Sequence, residues 1–257
     1  MNDFINPLDE YLIPMFPPNT FRFRSPGRNT LDELENNYVF FQTRTKLNDE
    51  LDSNPEFVEL NDGIYEVNEL RSTLNQYVPN SITKDYIAKL TDKDLMVFAK
   101  AKVKPYIENT GIACFTMYPM NYKLWAEYSK NDKGLCLHFD MNEDKHFFDG
   151  WRPITYVNEL KKQVFNAITD DEHITELFFK KTKKWSYEKE LRVLKDKIGQ
   201  VKFKPIALKN ILIGHKADND FIDQVIDVVK RKYPQIKVYQ RIKRDPELHL
   251  SYGLLYE

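Results

Sequence analysis

What most constrains this chain is that stretches of strand period and stretches of helix period follow one another without a regular strand–helix–strand alternation. Thr20 to Arg24 alternates Phe21 and Phe23 with Arg22 and Arg24, the period of a half-buried strand. Tyr38-Val39-Phe40-Phe41, Gly111 to Thr116 (GIACFT), Gly134 to Phe139 (GLCLHF), ALKNILIG and IKVYQRI are further strand candidates. Residues 64–107 read as mostly helical, with Leu90, Leu95, Val97 and Phe98 at helical intervals until Pro105 stops the pattern. Residues 121–130 and 217–232 fit amphipathic helices, and a long helical stretch is expected over about 158–184, interrupted near Thr169-Asp170. Ser25-Pro26-Gly27 marks a turn, and Thr30 with Glu33 predicts a capping box on a short helix. Glu190 to Lys195 and Val201 to Pro205 predict a hairpin turning through Gly199. This mixture favours an α+β fold over a doubly wound one. A single domain over 1–257 is expected: a mixed or antiparallel central sheet with helices packed around it, an extended N-terminal arm over 1–18 and a helical insertion at about 64–107.

Composition narrows the function classes. Hydrophobic residues make up 42% of the chain, enough for a sizeable core without disulfides or metals as staples. Lysine and arginine (38) nearly balance aspartate and glutamate (39), which argues against coating nucleic acid or membrane through bulk charge. Cys114 and Cys136 are the only cysteines and lack a Cys-x-x-Cys spacing, so neither a disulfide scaffold nor a cysteine zinc site is expected. The N-terminus carries acids and prolines where a signal peptide needs an unbroken apolar stretch, and no run approaches the roughly 18 apolar residues of a membrane span. The expected compartment is the cytoplasm. With eight glycines in the chain, no glycine-rich phosphate loop is present.

The sharpest local feature is Glu188-Lys189-Glu190-Leu191-Arg192. On a strand, Glu188, Glu190 and Arg192 would share a face, where neighbouring carboxylates raise one pKa and Arg192 opposes the rise. Such a pair suits acid–base work. On a helix surface, Glu188 and Arg192 would be an ordinary i,i+4 ion pair worth about 0.3–0.5 kcal/mol. Asn48-Asp49-Glu50 with Asp52 could bind a ribose or a metal, or simply cap a turn. Arg22 and Arg24 offer forks that match phosphates, though a solvated edge strand would look the same. Trp125, Tyr128 and Trp185 could stack on a flat ring or fill the core. Cys136 and His138 share a strand face and could ligate a metal in principle, but with no second cluster they read as core residues. The lysines around 180–184 and the run Arg241 to Arg244 could contact phosphates or form solvated faces.

Several of these segments together resemble a widespread bacterial family labelled only as domain of unknown function 2971. The matching stretches are FRFRS, YVFFQTRTKLNDELD, ACFT, LWAEYSKNDKGLCLHFD, WSYEKELR and PIALKNILIG, in the family's order over about 20–214. Glu50 departs from the pattern, since members often carry proline after Asn-Asp. That family implies no activity. FRFRS, TLDELENN, YVFFQT and YEKEL also follow the order of an ADP-ribosyltransferase fold, whose sheet is split. That likeness implies NAD as substrate, with Arg24, Arg22, Asn48, Asp49, Tyr128, Trp125 and Arg192 as candidate cofactor-binding residues. It implies Glu190 as catalytic carboxylate, Glu188 orienting or deprotonating an acceptor, and Thr116 at the small-hydroxyl position. Phe40 stands where many members place tyrosine. The acceptor would be a protein or a nucleic acid, or water for an NAD glycohydrolase. No metal is expected, and a bacterial toxin or antiphage effector is the setting the analogy suggests. The alternatives are a metal-dependent nuclease using Asp49, Asp52, Glu188 and Glu190, or a non-catalytic binding module.

Overall fold

The computed structural model describes residues 17–60, 67–72, 81–165, 171–242 and 252–257. Their strands, in chain order, begin with β1 (Asn19–Arg24), β2 (Tyr38–Phe41), β3 (Val58–Leu60), β4 (Gly111–Thr116) and β5 (Leu135–Asp140). The short β6 (Arg152–Pro153), β7 (Thr155–Val157), β8 (Gln163–Phe165) and β9 (Lys180–Thr182) follow. The series ends with β10 (Glu190–Lys195), β11 (Gly199–Lys202), β12 (Leu208–Ile213), β13 (Lys237–Arg241) and β14 (Tyr252–Tyr256). Eight of them form one mixed sheet in the order β14-β13-β12-β5-β1-β4-β10-β6, beside three two-stranded sheets. The fold is α+β.

The sheet is not equally tight throughout. β1 runs antiparallel to β5 with every residue from Asn19 to Arg24 in register. On its other side β1 meets β4 at a single pair, Phe21 with Thr116. The five strands from β14 to β1 therefore form one wing and β4, β10 and β6 the other, with an opening between the last residues of β1 and the first half of β4.

Helices α1 (Arg28–Asn36) and α6 (Asn219–Lys232) cover one face, where Leu34, Val225, Val228 and Val229 join the β-strand core of Phe115, Leu137, Phe139 and Ile211. Three more helices, α2 (Ser81–Lys89), α3 (Asp92–Asn109) and α4 (Tyr122–Tyr128), precede β5, and α5 (Asp171–Glu176) lies between β8 and β9. A second apolar cluster joins Leu95 and Ile107 of α3 to Ile112, Phe178 and Phe179. Among the described residues no helix is long and apolar enough to cross a membrane.

Several expectations need correction. Pro105 does not end its helix; α3 runs through it to Asn109. A capping box at Thr91 and Asp94 fixes the start of α3, and the burial of Ile107 holds the turn beyond the proline. Around 158–184 there is no long helix: β8, α5, β9 and two 3-10 turns occupy the described part, while Thr169-Asp170 lies outside it. Apolar spacing misled there, because the run Leu177-Phe178-Phe179 is buried as a 3-10 turn. Glu190–Lys195 and the strand through Val201 are not a hairpin. β10 pairs with β4 and β6, whereas β11 pairs with β2. Nor does Thr30 cap α1: Gly27 holds that position, and the Thr30 hydroxyl donates to the Ser25 carbonyl at 2.6 Å. The arm proposed over 1–18 falls outside the described residues except for Pro17 and Pro18, as does the part of the basic run beyond Ile242.

Candidate functional site

The opening between β1 and β4 is a cleft of about 560 Å3, lined by Arg22 and Arg24 on one wall and Cys114 and Thr116 on the other. Lys46 and Asn48 from the loop after β2, Tyr128 from α4, and Lys181, Glu188, Glu190 and Arg192 complete it. Residues from the opening strand and from the late acidic segment thus face one hollow.

Glu188 and Glu190 reach it by a route other than a continuous strand. Glu188 ends a 3-10 turn (Lys183–Glu188), Lys189 adopts the left-handed conformation at φ 46°, and β10 begins at Glu190. The two carboxylates nonetheless converge, because Lys181 of β9 stands between them. Its Nζ lies 2.6 Å from Glu188 Oε2 and 3.0 Å from Glu190 Oε2. Lys181 is 2% exposed, so it is neither the solvated face nor the open phosphate contact that its basic run suggests. The signal that could have found it is its setting, since it follows the apolar run Leu177-Phe178-Phe179 on a strand and only one of its two strand faces can be wet.

A second buried cation supports the pair. Arg192, fully buried, donates from Nε to Glu190 Oε1 at 2.6 Å and from Nη1 to the Phe178 carbonyl at 2.6 Å. Its two terminal nitrogens also grip Asp52, with Nη1 at 2.8 Å from Oδ1. Asp52, Lys181, Glu188, Glu190 and Arg192 make a buried network of three carboxylates and two cations. Arg192 is thus a structural partner of Glu190 whose donors are already occupied.

The surroundings drive the two glutamates apart. Burial would raise Glu190, but Arg192 and then Lys181 outweigh it and hold its pKa at about 2. For Glu188, burial and the neighbouring Glu190 charge raise the pKa against the opposition of Lys181 and Tyr128. The Tyr128 hydroxyl donates to Glu188 Oε1 and accepts from Asn48 Nδ2. Burial, with the Glu188 charge, pushes the Tyr128 phenol up, so it stays a donor. The Glu190 amide donates to the Tyr156 hydroxyl at 2.9 Å, a contact that sequence spacing does not reveal. Cys114 lines the cleft as a thiol whose pKa burial and Glu190 push upward.

The other expected residues divide into cleft and core. Thr116 lines the cleft, its hydroxyl donating to the Glu188 carbonyl at 2.6 Å. Asp49 is buried, accepts from the Trp185 indole at 2.6 Å and is not a cleft-lining residue. Phe40 does not line the cleft either; its amide donates to Glu33 Oε1 at 3.3 Å and its carbonyl accepts from Arg22. Trp125 is fully buried, with its indole donating to the Pro119 carbonyl at 2.8 Å, and belongs to the core with Phe21, Cys136 and Leu212. His138, held at 2.8 Å by Asn19 and 3.0 Å by Asn210, is core as expected. Of the four carboxylates assigned to a nuclease, Asp52, Glu188 and Glu190 surround Lys181, while Asp49 turns to Trp185. Among the described residues no group of three or more histidines, cysteines, aspartates or glutamates is placed to share a metal ion.

No curated protein and no solved structure matches this chain. The segment that holds Tyr128, Lys181, both glutamates and Arg192, residues 124–193, matches the family described as "Protein of unknown function (DUF2971)".

Proposed function

We propose that this chain cleaves the N-glycosidic bond of NAD in the β1/β4 cleft and passes the ADP-ribosyl group to a macromolecular acceptor or to water. The observation that carries this reading is the pairing, in one hollow of about 560 Å3, of arginines from the opening strand with two glutamates of opposed pKa. A cavity of that size suits a drug-sized or nucleotide ligand. Two carboxylates driven apart in pKa divide the labour of an acid–base reaction.

In this scheme the bond from the ribose C1′ to the nicotinamide nitrogen breaks, and its electron pair leaves with nicotinamide. Positive charge develops on the ribose. Glu190, kept ionised by Arg192 and Lys181, supplies a fixed negative charge and an acceptor for a ribose hydroxyl. The acceptor's nucleophilic atom bonds to C1′ and gives its proton to Glu188. Tyr128 and Lys181 hold the Glu188 carboxylate in place for that transfer.

Purified protein incubated with NAD and a chelator is expected to release nicotinamide. Glu190→Gln and Glu188→Gln should each lower the rate by about 10²–10⁴, the usual weight of a positioned acid–base group. Thermal denaturation of both variants separates lost chemistry from lost folding. Wild-type protein that releases no nicotinamide and labels no acceptor would sink the reading. Nucleic-acid cleavage that the chelator abolishes would favour a metal-dependent nuclease instead.

A further inference from the structure

Arg22 is a buried cation without a counter-charge. It is 8% exposed, and no carboxylate among the described residues lies within ion-pairing distance of it. Glu33, the acid whose charge reaches it, is taken by Arg24 at 2.8 Å. Arg22 donates to the Cys114 carbonyl at 2.9 Å and, weakly, to the Phe40 carbonyl at 3.4 Å, while its Nε has no hydrogen-bond partner. Burial, and then the like charge of Arg24, push its pKa downward. Leaving a guanidinium out of water with two carbonyls and the Phe115 ring, 5.7 Å away, but no anion for company is costly, and a fold keeps such a group where something else completes it.

The place where that something fits is open. Arg22 lines the cleft, and so does the exposed Lys46, for which no carboxylate partner exists among the described residues. The acids of the cleft are already paired with Lys181 and Arg192. Positive charge without partners therefore lies on the β1 and loop side, and paired acids lie on the β10 side.

We infer that Arg22 and Lys46 form a subsite for the phosphoryl groups of a nucleoside diphosphate, with the bound anion as the missing partner of the Arg22 guanidinium. A planar fork with donor capacity left on Nη2, whose one contact is the weak one to the Phe40 carbonyl, matches a phosphate oxygen, and a lysine at the mouth adds a mobile point charge. Arg24, named from the sequence as the NAD contact, is committed to Glu33 and serves α1. Naming the anion as the diphosphate of NAD rests on the glycosidic-cleavage reading; the anion subsite itself rests on Arg22.

Calorimetric titration of the full chain with ADP and with inorganic pyrophosphate tests this without any turnover. Both ligands should bind wild-type protein. Arg22→Met should weaken binding by about 30-fold or more, the loss typical of truncating one partner of a buried charge pair. Lys46→Gln should weaken it several-fold. Ligand-free Arg22→Met should melt no lower than wild type, because the substitution removes an uncompensated charge, and ADP should raise the melting temperature of wild type alone. Folded wild type that takes up neither ligand, or Arg22→Met that binds ADP as well as wild type does, would overturn the subsite. Glu190→Gln that still binds ADP separates the two ideas: NAD left intact by wild type then counts against glycosidic cleavage and leaves the subsite standing.

Discussion

At the residue scale the site is a matter of which polar groups are enclosed together. Sequence reading located Glu188, Glu190, Arg192, Tyr128 and Asn48, because an unusual density of carboxylates and aromatics is visible in a string. It could not show that Lys181 sits between the glutamates or that Trp125 is core, since both facts depend on partners far along the chain. His138 illustrates what enclosure does to a titrating group. Burial holds its pKa down at about 4, against 6.5 for an ordinary histidine. Between those values the unfolded chain takes up a proton that the folded one refuses. The stability tied to this ring is therefore complete above about pH 6.5 and is lost as the pH falls towards 4. Melting temperature followed from pH 7 to pH 4 should fall less steeply in His138→Gln than in wild type.

At the scale of elements, strands with long apolar runs were legible: GIACFT, GLCLHF and ALKNILIG all lie in the central sheet. Elements short enough to change type within three residues were not. The passage from 3-10 turn to β10 at Lys189 is the clearest case, because a single left-handed residue sets the path and lysine gives no hint of it. That residue aims Glu188 and Glu190 at the same amine. Replacing Lys189 by glycine should leave the melting temperature unchanged or raise it, since glycine adopts this conformation freely. Valine there should cost about 1–2 kcal/mol of stability in denaturant titration, because branching at Cβ opposes positive φ. Nicotinamide release should be lost with it.

At the scale of the whole molecule, the α+β class was readable from unordered mixing of periods, but the parting of the sheet between β1 and β4 was not. Strand order is set by long-range pairing, and the predicted hairpin at Gly199 failed for that reason. One interaction spans the molecule in a way that can be measured. Asp52 and Arg192 join the loop after β2 to β10 across 140 positions of sequence. Asp52→Ala should destabilise the protein by about 3 kcal/mol, because it takes one of two carboxylate partners from a buried guanidinium. The double change Asp52→Ala with Arg192→Met should cost less than the two single changes added together, a coupling that denaturant titration of the four proteins resolves.

Lys181 and the four charges around it also fix how the cleft behaves in different solutions. Dissolved ions screen charges that water can reach, over about 10 Å at 0.1 M ionic strength, and they screen buried side chains much less. The polarity on the β10 side is consequently a property of the folded chain, and a change from dilute buffer to brine alters it little. Lys46, standing in the open, is the part of the hollow whose pull on an anion fades as salt is added.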